Sequence, residues 1–179
     1  VLSYLSGGVL METRMWREML VPYYAAVDEL KMKFEHIIRE CRDTGVYSPI
    51  EQVEGRVKRI PSILEKAQKK DIEIEDIERD IQDIAGIRII CQFVEDIYMV
   101  VELLKKRQDL ENVETRDYIL HQRASGYRSY HIHAYYHLET IDGMKKVMIE
   151  FQIRTLAMNF WASIEHGLKY KTEKEITKA

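Results

Sequence analysis

Residues 146–154 read Lys146-Val147-Met148-Ile149-Glu150-Phe151-Gln152-Ile153-Arg154, and this alternation decides the fold. The odd positions Val147, Ile149, Phe151 and Ile153 are apolar, while the even positions Glu150, Gln152 and Arg154 are polar. Strand side chains point alternately to the two faces, so one face belongs to a core. The other carries three polar groups at steps of roughly 6.5–7 Å. An ordinary solvent face of an antiparallel sheet produces the same pattern, and both readings stand at this point.

Upstream, Asp142-Gly143 is a hairpin-type turn, so this strand is expected to pair antiparallel with a strand over residues 128–138. Ile87 to Phe93 is rich in β-branched and apolar residues, with Arg88 set among them, as a mostly buried strand would be. A further strand is expected over 113–119, and helices over 61–70 and 95–106. Before them, residues 12–44 carry Trp16, Leu20, Tyr23, Val27, Leu30, Phe34, Ile37 and Cys41 at three- and four-residue steps, a long amphipathic helix. Pro22 is expected to bend or interrupt it, and Asp43-Thr44-Gly45 to end it. After the last strand, Leu156, Phe160, Ile164 and Leu168 mark one side of a final helix. The expected class is α/β (α+β): a mixed β-sheet flanked by helices, with a long N-terminal helix.

Composition narrows the function. The chain has 179 residues, 46% hydrophobic and 32% charged, with 8 Gly and 3 Pro, which excludes disordered and collagen-like classes. No apolar run is long enough to span a membrane. Two cysteines set in apolar patterns, Cys41 and Cys91, and no visible secretory signal suit a reducing, cytoplasmic setting. The chain opens on Val1 rather than Met, so residues are expected to precede it.

The net charge of -3 conceals an asymmetry. Residues 56–70 hold six Lys or Arg and one acid, whereas residues 71–83 hold seven acids and one Arg. Such a chain is not built to coat DNA or RNA broadly; it concentrates positive charge at one spot. A solvated helix face accounts for the same clustering.

Several polar residues stand where a purely structural strand does not need them. Arg88 lies in an apolar strand and must pair, snorkel or face a cleft; an Asp83–Arg88 ion pair is one explanation. The small Ile84-Ala85-Gly86 link permits a close approach by a ligand or another backbone. Asp83 and Glu150 are candidates to hold one Mg2+, a cation that takes one or two protein carboxylates and completes its shell with phosphate and water. His131, His133 and His137 share a strand face, but no Cys or acid stands at a matching zinc-site spacing. There is no Walker P-loop or dinucleotide fingerprint, so a phosphate site would rely on Arg56, Lys58, Arg59, Lys66 and Arg123. Tyr127, in Ser125-Gly126-Tyr127, is either core, edge cover or a base-stacking platform.

Five ordered blocks resemble the synthetase domain of the RelA/SpoT family. They are GRVKRIPSILEK (55–66), DIAGIRIICQF (83–93), SGYRSYH (125–131), IEFQIRT (149–155) and NFWASIEHGLKYK (159–171). The short length looks like a small alarmone synthetase. The resemblance implies a nucleotidyltransferase-like fold in one domain over 1–179, with the catalytic core at 55–155 and a C-terminal helix, expected to be truncated, over 156–179. It implies a Mg2+-dependent pyrophosphokinase that moves the β,γ-pyrophosphate of ATP to the 3′-OH of GDP or GTP. Asp83 and Glu150 would bind the metal, with Glu150 helping to deprotonate the hydroxyl. Arg56 and Arg88 would sandwich adenine, Lys58, Ser62 and Lys66 would contact the ATP phosphates, and Tyr127 would stack on guanine beside Arg123, His131 and Gln152. A homotetramer is implied too. Gln52 and Glu54 replace the aromatic and threonine of the product-activated RelQ type. Glu54 would repel a phosphate-rich effector, so weak activation and the RelP type are expected. Two alternatives stay open: another nucleotidyltransferase on this scaffold, or a non-catalytic RNA-binding or interaction module.

Overall fold

A five-stranded sheet in the order β1-β2-β5-β4-β3 organises the chain. The coordinates are a computed structural model that describes the backbone of residues 2–176 and the side chains of residues 14–168. The elements run α1 (Leu2–Thr44), β1 (Gln52–Val57), α2 (Ile60–Lys69), a 3-10 turn (Ile74–Asp76), α3 (Ile77–Asp80), β2 (Ala85–Cys91), α4 (Val94–Lys105), β3 (Leu110–Asp117), β4 (Tyr130–Thr140), β5 (Gly143–Thr155) and α5 (Leu156–Ile176). β2 runs parallel to β5; every other pairing is antiparallel. The expected mixed sheet with flanking helices is therefore present, and Gly143, at φ +99°, makes the expected β4–β5 turn.

One face of the sheet is covered. Ile87, Ile89, Ile132, Ala134, Ile149, Phe151 and Ile153 are buried beneath the apolar stripe of α1, which contributes Trp16, Leu20, Tyr23, Val27, Leu30 and Phe34, and beneath α4. Phe34 meets Phe151 edge-on, with centroids 6.1 Å apart. The helix ends in a Schellman motif: Gly45 adopts φ +71°, Val46 N–H donates to the Cys41 carbonyl at 2.9 Å, and Gly45 N–H to Arg42 at 3.3 Å. Among the described residues no helix is long and apolar enough to cross a membrane.

Three expectations are corrected. Pro22 sits inside α1 without interrupting it. A helix-interior proline costs about 3 kcal/mol, and the buried residues on both sides of it, Leu20 and Tyr23 nearest, hold the helix through it. β1 and the Ile74–Asp80 turns were not foreseen. β1 contains only two apolar residues, Val53 and Val57, so its own pattern is weak; it forms because β2 pairs with it and α1 covers it. β3 starts three residues before its expected start, because Leu110 is the buried anchor, whereas Val113 lies at a β-bulge and is exposed. α1 starts at Leu2, ten residues before its expected start at residue 12, and the remaining expected helices and strands fall within a few residues of their elements.

The final helix differs in a further way. Leu156, Phe160, Ile164 and Leu168 share the predicted side, but all four are exposed. Residues 177–179 of the expected C-terminal helix lie outside the described residues.

Candidate active site

The uncovered face of the sheet gathers the polar residues. Register puts Arg56 opposite Gly86, Gly86 opposite Glu150, and Glu150 opposite His133. One step along, Glu54 stands opposite Arg88, Arg88 opposite Gln152, and Gln152 opposite His131. Strand alternation thus produces two rows of charged and amide groups across four strands. A cleft of about 80 Å³ opens between them, lined by Arg56, Gly86, Arg88, Glu150 and Gln152 among others. A larger hollow of about 790 Å³ lies between the β1–β2 edge and α5, and none of the predicted site residues lines it.

Glycine shapes this face at two points. A Cβ on Gly86 would stand 3.4 Å from the Glu150 carbonyl oxygen and 3.8 Å from Arg56 Nε, so the bare backbone lets the Arg56 side chain lie over the strand. A Cβ on Gly55 would fall 2.5 Å from Val27 Cγ1, which explains the glycine before Arg56 as a close approach of β1 to α1.

Asp83 precedes β2 and meets two cations. Lys58 Nζ lies 2.8 Å from one carboxylate oxygen, and Lys66 Nζ, from α2, lies 2.7 Å from the other. Burial disfavours the charged carboxylate, but the bonds and charges of the two lysines outweigh it and hold the acid below its ordinary value. The considered Asp83–Arg88 pair does not form; Arg88 pairs with Glu54 at 3.3 Å instead. Because β1 brings Glu54 opposite Arg88, the nearer acid captures it.

Glu150 is buried, 8% exposed, between two imidazoles. His131 Nδ1 approaches one carboxylate oxygen at 3.3 Å and His133 Nε2 at 3.6 Å, while the Gln152 amide donates to the other oxygen at 3.0 Å. Burial pushes this acid upward, yet the two histidines prevail and hold it well below the usual carboxylate range. Asp83 and Glu150 share none of these partners. Among the described residues no group of three or more His, Cys, Asp or Glu forms a ready-made metal cage.

Tyr127 lies in the irregular segment before β4. Its hydroxyl is 2.9 Å from His131 Nε2 and 3.0 Å from Arg154 Nη2, and its ring meets Tyr118 and His131 edge-on. The exposed Arg123 guanidinium stands 4.2 Å from the Tyr118 ring centre and 5.5 Å from that of Tyr127. Ser62 is exposed in the first turn of α2. Arg56, Arg88, Tyr127, His131, Glu150 and Gln152 therefore converge on one face, with Asp83, Lys58 and Lys66 clustered at its β1–β2 end.

Four participants escaped the reading of the sequence as site residues: His133, Tyr118, Glu54 and Arg154. For His133 and Arg154 the signal was available, because each shares its strand face with a predicted residue two positions away. Tyr118 follows β3 and arrives by tertiary folding, with no local pattern to announce it.

Comparisons with known proteins identify the family. The family described as "Region found in RelA / SpoT proteins" matches residues 55–175. The GTP pyrophosphokinase YjbM of Bacillus subtilis is 53% identical, across 90% of this chain and 76% of its own. The crystal structure of small alarmone synthetase 1 from Bacillus subtilis, bound to its product pppGpp, superposes with a TM-score of 0.84 at 53% identity, covering 89% of this chain and 83% of that one. A GTP pyrophosphokinase family protein from Streptococcus pneumoniae gives a TM-score of 0.85 at 51% identity, covering 92% and 83%.

Proposed function

This chain belongs to the RelA/SpoT family, and from that premise we propose that it is a GTP pyrophosphokinase of the small alarmone synthetase kind. It transfers the β,γ-pyrophosphate of ATP to the 3′-hydroxyl of GDP or GTP. A bond forms between the 3′-oxygen and the β-phosphorus, the bond from that phosphorus to the α-phosphate oxygen breaks, AMP leaves, and the hydroxyl proton is lost. The observation that carries this reading is the single polar sheet face on which Arg56, Arg88, Glu150, Gln152 and His131 are placed in register.

The chemistry is limited by charge and alignment, and these residues supply both. Arg56 and Arg88, on adjacent strands and the same face, hold a flat adenine by stacking and cation–π contact. Lys58 and Lys66, both paired with Asp83, take the ATP phosphates together with Ser62. Tyr127 stacks on guanine, with Arg123, His131 and Gln152 around the acceptor nucleotide.

Asp83 and Glu150 suit a hard cation: both are oxygen donors kept ionised at neutral pH by neighbouring cations and imidazoles. Two carboxylates without a full cage match Mg2+ that arrives with a nucleotide rather than a resident ion. When bound, Mg2+ neutralises phosphate charge and makes the hydroxyl more acidic. Glu150, held so far below the usual range, is a weak base alone; its role toward the 3′-hydroxyl is to accept and orient its hydrogen bond.

The chain acts as one synthetase domain, in the cytoplasm, as a homotetramer in the bacterial stress response. The RelP-type assignment rests on Gln52 and Glu54 alone. Incubation with labelled ATP, GDP and Mg2+ tests the function: AMP and ppGpp appear together. Release of free pyrophosphate instead would establish a different nucleotidyltransferase, and no Mg2+-dependent nucleotide binding by calorimetry would establish a non-catalytic module.

A further inference from the structure

Arg154 is a buried guanidinium whose hydrogen bonds reach no acid. It is 4% exposed, at the end of β5, and its hydrogen-bond partners are all neutral. Nη2 donates to the Tyr127 hydroxyl at 3.0 Å and to the Gln152 side-chain oxygen at 2.6 Å, while Nη1 donates to the Asn159 side chain in α5 at 3.3 Å. Nε is buried with no partner. Burial opposes this charge; Glu150 attracts it without bonding to it, and Arg88 and Arg56 repel it, whereas a purely structural position would be served by an apolar side chain of similar volume.

What this arginine touches explains its place. Its contacts close a circuit: Arg154 to Gln152, Gln152 to Glu150 at 3.0 Å, Glu150 to His131 at 3.3 Å, His131 to Tyr127 at 2.9 Å, and Tyr127 back to Arg154. With the carboxylate at Nδ1, the His131 proton is favoured there, so Nε2 accepts from the Tyr127 hydroxyl. That hydroxyl oxygen then needs a donor, and Arg154 Nη2 is that donor. The same Nη2 carries two hydrogens, one for Tyr127 and one for Gln152. Tyr127 has no regular secondary structure to fix it, since it lies in the segment between β3 and β4.

We propose that Arg154 is a positioning residue for the acceptor nucleotide: it fixes the ring plane of Tyr127 and the amide orientation of Gln152 before GDP or GTP enters. The proposal rests on the reading of Tyr127 as the guanine-stacking residue. Asn159 couples the first turn of α5 to the same guanidinium.

Steady-state KM values for GDP and for ATP, measured on Arg154→Met, Arg154→Lys, Tyr127→Phe, Tyr127→Ala and the Arg154→Met/Tyr127→Phe pair, test it. Losing one charge-assisted hydrogen bond corresponds to about a tenfold rise in KM for GDP in Arg154→Met and in Tyr127→Phe. KM for ATP stays within about twofold in both, below the roughly tenfold worth of such a bond. The double variant is no worse than the more impaired single one, as expected for two ends of one contact. Arg154→Lys recovers part of the loss. The proposal is overturned if Arg154→Met leaves KM for GDP unchanged, raises KM for both nucleotides alike, or multiplies independently with Tyr127→Phe. Tyr127→Ala separates the two failures: unchanged GDP affinity there removes the stacking reading, and the proposal with it. Should Arg154→Met melt at a temperature too low to assay, Tyr127→Phe, which deletes one oxygen, carries the decision by its own KM for GDP.

Discussion

On β5, Ile149, Phe151 and Ile153 are fully buried against the helices, while Glu150, Gln152 and Arg154, each one residue away, hold a polar circuit on the other face. The covered face is governed by volume and hydrophobicity. Many apolar residues of the right size would satisfy it, because packing energy depends on area and fit. The open face is governed by position, because each group answers a neighbour on another strand through a hydrogen bond or a charge. A one-residue slip in strand register would exchange the two faces, so the apolar set fixes where the polar set must stand. The core thereby acts on function indirectly, by register.

Substitutions of adjacent residues separate these two roles. Glu150→Ala should lower AMP formation by at least roughly 10²–10³-fold, the scale of losing one charged group in a preorganised site. Its urea midpoint should move far less than that of a core variant. Near-normal turnover would remove Glu150 from the site. Phe151→Ala should cost about 3–5 kcal/mol in urea unfolding by opening a cavity under α1, while activity per folded molecule changes little. A large loss of turnover at unchanged stability would break the division between the faces. Tyr127→Ala comes next: calorimetry should show GDP binding weakened by about 1–3 kcal/mol, the worth of one base stack, with ATP binding unaltered.

The covered face was readable from the sequence because its signal is local and periodic. The stripe from Trp16 to Phe34 and the odd positions of β5 announce a helix and a strand without any partner. β1 was not readable for the converse reason: Gln52, Glu54 and Arg56 outweigh Val53 and Val57 locally, and the strand exists through its pairing with β2. The open face was half-readable. Alternation placed Glu150, Gln152 and Arg154 together, but their partners come from β1, β2, β4 and the segment before β4. Spacing alone could not choose Glu54 over Asp83 as the partner of Arg88, nor give Asp83 to Lys58 and Lys66. Those choices depend on strand order, which no periodicity contained.

The rim of the covered face offers the finest distinction, because it also contains charges, and these serve only the fold. Asp109, just before β3, receives Arg107 Nε at 2.8 Å and Nη2 at 2.6 Å, together with Lys33 from α1 at 2.9 Å. Partial burial raises the acid, but the bonds and charges of Arg107 and Lys33 outweigh this and lower it below its ordinary value. An acid lowered in the folded state adds stability that is complete above its unfolded value of about 3.9 and disappears as pH falls through the lower folded value. Asp109→Asn lacks this contribution at every pH. It should therefore be less stable than the parent by about 1 kcal/mol from neutral pH down to about pH 5, the scale of a partly exposed ion pair. The gap should close below about pH 4 as the parent's own carboxyl takes up its proton. Urea unfolding of both proteins across that range decides it. A gap that stays constant at acid pH would mean that Asp109 contributes shape and not charge, and a fall in AMP formation at neutral pH would move this rim residue into the site.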